Sequence, residues 1–143
     1  MATISSFEDL RVWQLAKELS KEIYSLIQKG SFAKDFELRN QINKSAGSIM
    51  DNIAEGFERG GNKEFSQFSS ISKGSCGEVR SPLYRALDRN HLTKNEFESA
   101  KDKALEVSKQ LSGFISYLKN SDLKGIKYAK EPESDYGIHN FES

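Results

Sequence analysis

Few residues in this sequence have the types and spacing for covalent or metal chemistry. The single cysteine, Cys76, sits in Ser75-Cys76-Gly77, a setting that invites a thiolate nucleophile. Such a role needs a base within hydrogen-bond reach. On a helix its neighbours three and four positions away are Ser72, Lys73, Val79 and Arg80, with no histidine or carboxylate among them. The favoured reading is structural: with Ser72, Ser75 and Gly77, Cys76 forms a small-residue surface where its helix approaches another closely. A di-iron bundle would need paired Glu-x-x-His motifs, but Asp88 precedes His91 and Tyr136 precedes His139 at that spacing. His91 reads as a solvated loop residue. The glycines form neither a dinucleotide fingerprint nor a phosphate loop. Glu55 with Glu78 is the remaining acid–base pair, and nothing in the sequence supplies the burial or charge that would perturb them. The expectation is a protein without catalytic residues, metal ligands or cofactor, and not an enzyme.

Two sets of polar residues bear on binding. Gln41, Ser45, Ser48, Asn52, Glu55 and Arg59 recur at steps of four and three, which places them in one stripe beside an apolar helix face. That stripe is a solvated edge, a hydrogen-bonded network that fixes register, or a polar groove for a partner; the structural readings are favoured, because most polar ladders satisfy each other. Lys44, Arg59, Lys63, Arg85 and Arg89 are the candidate nucleic-acid contacts. Against them stands the overall balance, 21 basic and 21 acidic residues in 143, because coating nucleic acid or anionic lipid takes surplus positive charge.

The elements that position these residues read as helices. Val12, Leu15, Leu19, Ile23 and Leu26 form one apolar line, and Trp13, Ala16, Tyr24 and Ile27 a second; together they cover roughly half a helix circumference. Ser5-x-x-Glu8 offers a capping box before this helix, and Gly30 can close it. Leu38, Ile42, Ala46, Ile49, Ile53 and Phe57 line a second helix that stops at Gly60-Gly61. Asn62 is read as the cap of a third, lined by Phe65, Phe68, Ser72, Cys76, Val79, Leu83 and Leu87 and bent by Pro82. The fourth begins at a Thr93–Glu96 capping box with a Leu92–Phe97 staple. Its line of Phe97, Ala100, Ala104, Val107, Leu111, Phe114 and Leu118 is a bundle seam. Helices are expected near 7–29, 35–59, 63–89 and 94–119. Short connections favour antiparallel neighbours, so the fold class is all-α: an antiparallel up-down-up-down four-helix bundle over 1–119 with an irregular C-terminal tail over 120–143.

Nowhere do more than two apolar residues follow one another. That excludes a membrane span and a secretory signal, and points to a cytoplasmic protein with no membrane partner. In the tail, Ile126, Tyr128, Tyr136, Ile138 and Phe141 offer apolar side chains for docking.

The residues also carry a family resemblance. Phe7-x-x-Leu10-x-Val12-Trp13-Gln14-x-Ala16 and Ile23-Tyr24 open it. Gln41-Ile42, Ser48-Ile49-x-x-Asn52-Ile53-Ala54-Glu55-Gly56-Phe57-x-Arg59, Lys63-Glu64-Phe65 and Gly74-Ser75-x-x-Glu78 follow. Over residues 7–119 the chain resembles the bacterial four-helix bundle family named for proteins encoded in intervening sequences of 23S ribosomal RNA genes. That family includes the accessory variability determinant of diversity-generating retroelements. The resemblance implies a bundle assembled as a ring-shaped homopentamer, without known enzymatic activity. The retroelement members pair with a reverse transcriptase and are strongly basic. Where relatives carry two adjacent basic residues this chain has Asn43 and Lys44, and Met50 replaces a proline.

The expected function is a non-enzymatic, oligomeric scaffold or adaptor that binds a protein partner, one that handles nucleic acid being a candidate. The apolar excess of helix one, around Trp13 and Tyr24, is the candidate oligomer interface. The alternative is a direct RNA- or DNA-binding ring like the basic retroelement members; balanced charge argues that any such affinity is weak.

Overall fold

The computed structural model describes residues 4–120. Four helices dominate, α1 (Arg11–Leu26), α2 (Phe36–Arg59), α3 (Asn62–Asp88) and α4 (Lys94–Lys119). The packed pairs are α1–α2, α2–α3, α3–α4 and α1–α4, so α1 lies diagonally across from α3. With short connections between successive helices this is the antiparallel up-down-up-down bundle, and no strand occurs among the described residues. The irregular tail expected over 120–143, His139 included, lies outside the described residues beyond Asn120.

Helix ends follow local chemistry, with four departures from the sequence expectation. The first helix does not run unbroken over 7–29. Phe7–Asp9 form a single 3-10 turn, Leu10 is extended, and α1 proper covers Arg11–Leu26. The capping carboxylate is Asp9 rather than Glu8: its Oδ2 accepts from the Ser5 and Ser6 backbone N–H groups at 3.1 and 3.3 Å. Past α1 the chain must tuck Phe32 into the core; Gly30, at φ +50°, supplies the left-handed turn that lets it do so. Third, the cap of α3 is Gly61, not Asn62. Asn62 is the first helical residue, and its amide donates to the Leu118 carbonyl at 3.4 Å instead. Fourth, Gly30 does not close α1, whose cap is Ile27, but begins a 3-10 turn over Gly30–Lys34; the remaining ends lie within a residue of expectation. Asp35 caps α2 and Gly60, at φ +90°, terminates it. Glu96 N–H donates to Thr93 Oγ1 at 3.1 Å, and Thr93 N–H to Glu96 Oε1 at 2.9 Å.

All six expected core residues of α2 and all seven of α4 are buried. On α1 the first apolar line goes inside, Leu15 only partly; of the second, Ala16 and Ile27 are buried while Trp13 stays half-buried and Tyr24 is exposed. The interior of α3 is wider than its large residues suggest, because Ser66, Ser69, Ser72, Ser75 and Ala86 are buried too. Small side chains let α2 and α3 approach closely. A Cβ at Gly56 would lie 2.8 Å from Phe68 Cβ and 2.9 Å from Phe65 Cδ1. Phe65 also meets Phe57 and Phe114 edge-on, with ring centroids 5.9 and 4.9 Å apart. On its other side α1 is tied to α4: Glu22 accepts from Ser99 Oγ at 2.8 Å and pairs with Lys103 at 3.2 Å, and Lys29 pairs with Glu96 at 3.0 Å.

Candidate functional site

The polar stripe of α2 lies along the α2–α3 seam. Ser48 Oγ and Ser75 Oγ share a hydrogen bond at 3.0 Å, and Asn52 Nδ2 donates to the Ser48 carbonyl at 2.9 Å. Gln41 Oε1 accepts from Arg85 at 3.2 Å, while buried Ser45 donates back to the Gln41 carbonyl at 3.0 Å. Glu55 pairs with Arg59 at 2.8 Å, whose guanidinium lies 4.9 Å over the Phe68 ring. Deeper in the seam, Ser72 Oγ donates to the Ile49 carbonyl at 2.8 Å. Two of the stripe's hydrogen bonds, Gln41–Arg85 and Ser48–Ser75, join it to α3, and the others satisfy stripe residues within α2.

The same contacts divide the candidate nucleic-acid residues. Arg59 and Arg85 are engaged as described, and Arg89 pairs with Asp35 at 2.9 Å. Lys44 and Lys63 are exposed and have no ion partner among the described residues. Cys76 is buried, and burial pushes its thiol up to about 12, outweighing the nearby Arg80 and Lys73. A thiol so placed is not a thiolate nucleophile near neutrality. Glu55 is committed to Arg59, and no group of three or more His, Cys, Asp or Glu able to hold a metal occurs among the described residues.

His91 departs from its expected solvated setting. Only 9% of its side chain is exposed, and its ring stacks on Phe32 at 5.1 Å. Nε2 lies 2.8 Å from Asp35 Oδ2 and Nδ1 2.8 Å from Ser31 Oγ. The hydrogen bond from His91, then that from Arg89, holds the Asp35 carboxyl down at about 2. With an ionised carboxylate facing it, Nε2 carries the proton, so in the neutral ring Nδ1 accepts from the Ser31 hydroxyl. The order Ser–His–Asp resembles a nucleophile relay. Here, however, Arg89 already compensates the carboxylate that would steady an imidazolium, and Asp35 also caps α2. The cluster is a clamp joining the start of α2 to the α3–α4 connection. Histidine and aspartate lie 56 residues apart in sequence, and no local pattern announces them.

Two open surfaces remain. Between α1 and α2 runs an open groove of about 710 Å³, with Lys17, Lys21, Tyr24, Gln28, Asn43 and Met50 among its lining and no carboxylate there. Gly47, between Asn43 and Met50 in sequence, is half-buried, and a Cβ there would meet nothing within 4 Å. Tyr24 is 57% exposed, whereas Trp13 is half-buried with its ring edge-on to Phe7 at 5.2 Å. The second surface is the outward line of α3, where Ser70, Gly74, Gly77 and Ser81 follow at steps of four, three and four. Space above both glycines is open, and Ile71 and Tyr84 beside them are each 51% exposed. Sequence reasoning missed the groove lysines and Gly47; an interior helix glycine was the available signal. No helix among the described residues is long and apolar enough to cross a membrane.

Comparison with known proteins agrees with this architecture. A crystal structure at 1.70 Å resolution of a protein of unknown function from the S23 ribosomal protein family of Bacteroides thetaiotaomicron is similar, with a TM-score of 0.66. The two chains share 24% identity over 76% of this chain and 99% of that one, a likeness of fold. No curated protein matches. The family profile described as 23S rRNA-intervening sequence protein matches residues 8–113, and the chain belongs to that family.

Proposed function

We propose that this chain is a non-enzymatic, self-assembling helical scaffold that binds a protein partner, of the nucleic-acid-handling class to which its family resemblance points. The observation that carries the reading is the outward line of α3. An interior helix glycine costs about 1 kcal/mol relative to alanine, and neither Gly74 nor Gly77 relieves a clash within the chain. Small side chains there permit a second helix to pack at short interaxial distance, with Ile71 and Tyr84 as flanking apolar contacts. The α1 edge bearing Trp13 and Tyr24 lies across the bundle diagonal. Unlike faces on opposite sides support head-to-tail contact, which closes into a ring when the rotation permits. Five subunits is the number the resemblance implies.

Direct nucleic-acid binding is the weaker reading, because Arg59, Arg85 and Arg89 have intrachain contacts. Tight sequence-blind binders neutralise about 6–10 phosphates. Titrating labelled single-stranded RNA and duplex DNA at about 50 and 200 mM salt separates the two. The scaffold reading expects binding only at the lower salt; submicromolar affinity at the higher salt would promote the nucleic-acid reading in its place.

A further inference from the structure

We infer that the open groove between α1 and α2 is the docking site of the chain's own segment 131–143. The groove presents Lys17 and Lys21, both exposed and without an ion partner among the described residues, and none of its lining residues is acidic. Toward α4, by contrast, Glu22 is matched by Lys103, and beyond the end of α1 Lys29 is matched by Glu96. The unmatched edge therefore calls for an acidic occupant. Tyr24 and Met50 add apolar surface, Gln28 and Asn43 add amide donors, and open space above Gly47 leaves room for a backbone.

Segment 131–143 has the complementary chemistry. It carries Glu131, Glu133, Asp135 and Glu142 with no lysine or arginine, and its apolar side chains are Tyr136, Ile138 and Phe141. Reach is sufficient. The helix α4 ends at the end of the bundle where its antiparallel neighbour α1 begins. The ten intervening residues, 121–130, span roughly 33–36 Å when extended, against a helix diameter of about 10–12 Å to cross. Tethering supplies a local concentration of millimolar order, so modest intrinsic affinity is enough. Because Tyr24 belongs to the edge assigned above to a neighbouring subunit, the segment and a second copy compete there. The docking itself does not depend on that assembly.

Among the described residues the buried apolar core side chains lie between Ile4 and Leu118. The solved neighbour is matched over 99% of its length by 76% of this chain, so residues 1–120 are expected to hold the bundle, with circular dichroism matching the helix content of the full chain as the check. The test is fluorescence anisotropy of a labelled peptide of residues 131–143 added to residues 1–120 carrying Gly74→Gln, which leaves the groove free whether or not the chain assembles. Saturable binding is expected, weakened tenfold or more by Lys17→Glu with Lys21→Glu and by raising salt from about 50 to 500 mM. Amide NMR shifts between the full chain and residues 1–120 should cluster at 17–28 and 43–50. Several results would overturn the inference: no saturable binding, equal binding to the charge-reversed protein, equal binding of a scrambled peptide, or shifts centred elsewhere. An RNA oligonucleotide that binds through these lysines when the peptide does not would overturn it as well.

Discussion

Gly47→Ala and Gly56→Ala place the same methyl group on the same helix, and the structure expects them to move stability in opposite directions. Alanine gains about 1 kcal/mol over glycine in a helix interior. At position 47 nothing lies within 4 Å of the added Cβ, so that gain is kept. At position 56 the methyl meets Phe68 Cβ at 2.8 Å, Phe65 Cδ1 at 2.9 Å and Phe65 Cα at 3.3 Å. The first and last of these cannot swing aside by changing rotamer, so α2 and α3 must separate. Overpacking of this kind costs about 3 kcal/mol, the upper end of its usual range, which leaves a net loss of about 2 kcal/mol after the propensity gain. The two variants should therefore differ by about 3 kcal/mol, a gap of roughly 10 °C in Tm for a domain of this size. Thermal and urea unfolding followed by far-UV circular dichroism measures the difference. It should be read at one protein concentration, because association raises apparent stability. Shifts of the same sign, or a neutral Gly56→Ala, would refute the argument from the α2–α3 approach.

Leu111→Ala should destabilise by about 2–5 kcal/mol in urea unfolding, since Leu111 is fully buried in the seam of α4. Asp35 titrates in the fold at about 2, below its ordinary value of 3.8. Its stabilising contribution is therefore complete above pH 4 and lost as pH falls towards 2; Asp35→Asn should flatten the acid limb of a stability–pH profile in that window. Cys76, buried and with its thiol raised, should resist a thiol reagent at pH 8 in the native protein and react fully in denaturant.

Much of the bundle was legible because its apolar lines repeat at helical steps and its stops are chemical. The line from Phe97 to Leu118 is buried throughout, and Thr93 with Glu96 closes the box that the sequence spells. What misled was competition among near-equivalent polar residues. Either Glu8 or Asp9 could cap the first turn, and the choice fell to the carboxylate that reaches Ser5 and Ser6 together. The burial of His91 depends on Phe32, Ser31 and Asp35, distant in sequence, and so could not be read locally. Ser72 and Ser75, read with Cys76 as a small-residue surface at a close helix approach, are buried as that reading requires, whereas Ser69, wholly buried too, falls outside the line read from Phe65 to Leu87. The α2 stripe was legible as a periodic feature, but its partner helix was not.

Light scattering on the intact protein, beside the pair Gly74→Gln and Gly77→Gln, tests the central claim most directly. A Cβ at either position meets nothing within 4 Å in the single chain, so the substitutions start from open surface, and retained helix content and Tm check that the bundle is intact. If the outward face of α3 joins subunits, the unaltered protein has a mass several times 16.1 kDa, fivefold on the family expectation, and the variants fall to 16.1 kDa with helix content retained. A monomeric mass for the unaltered protein at tens of micromolar, or variants that assemble just as it does, would contradict the account.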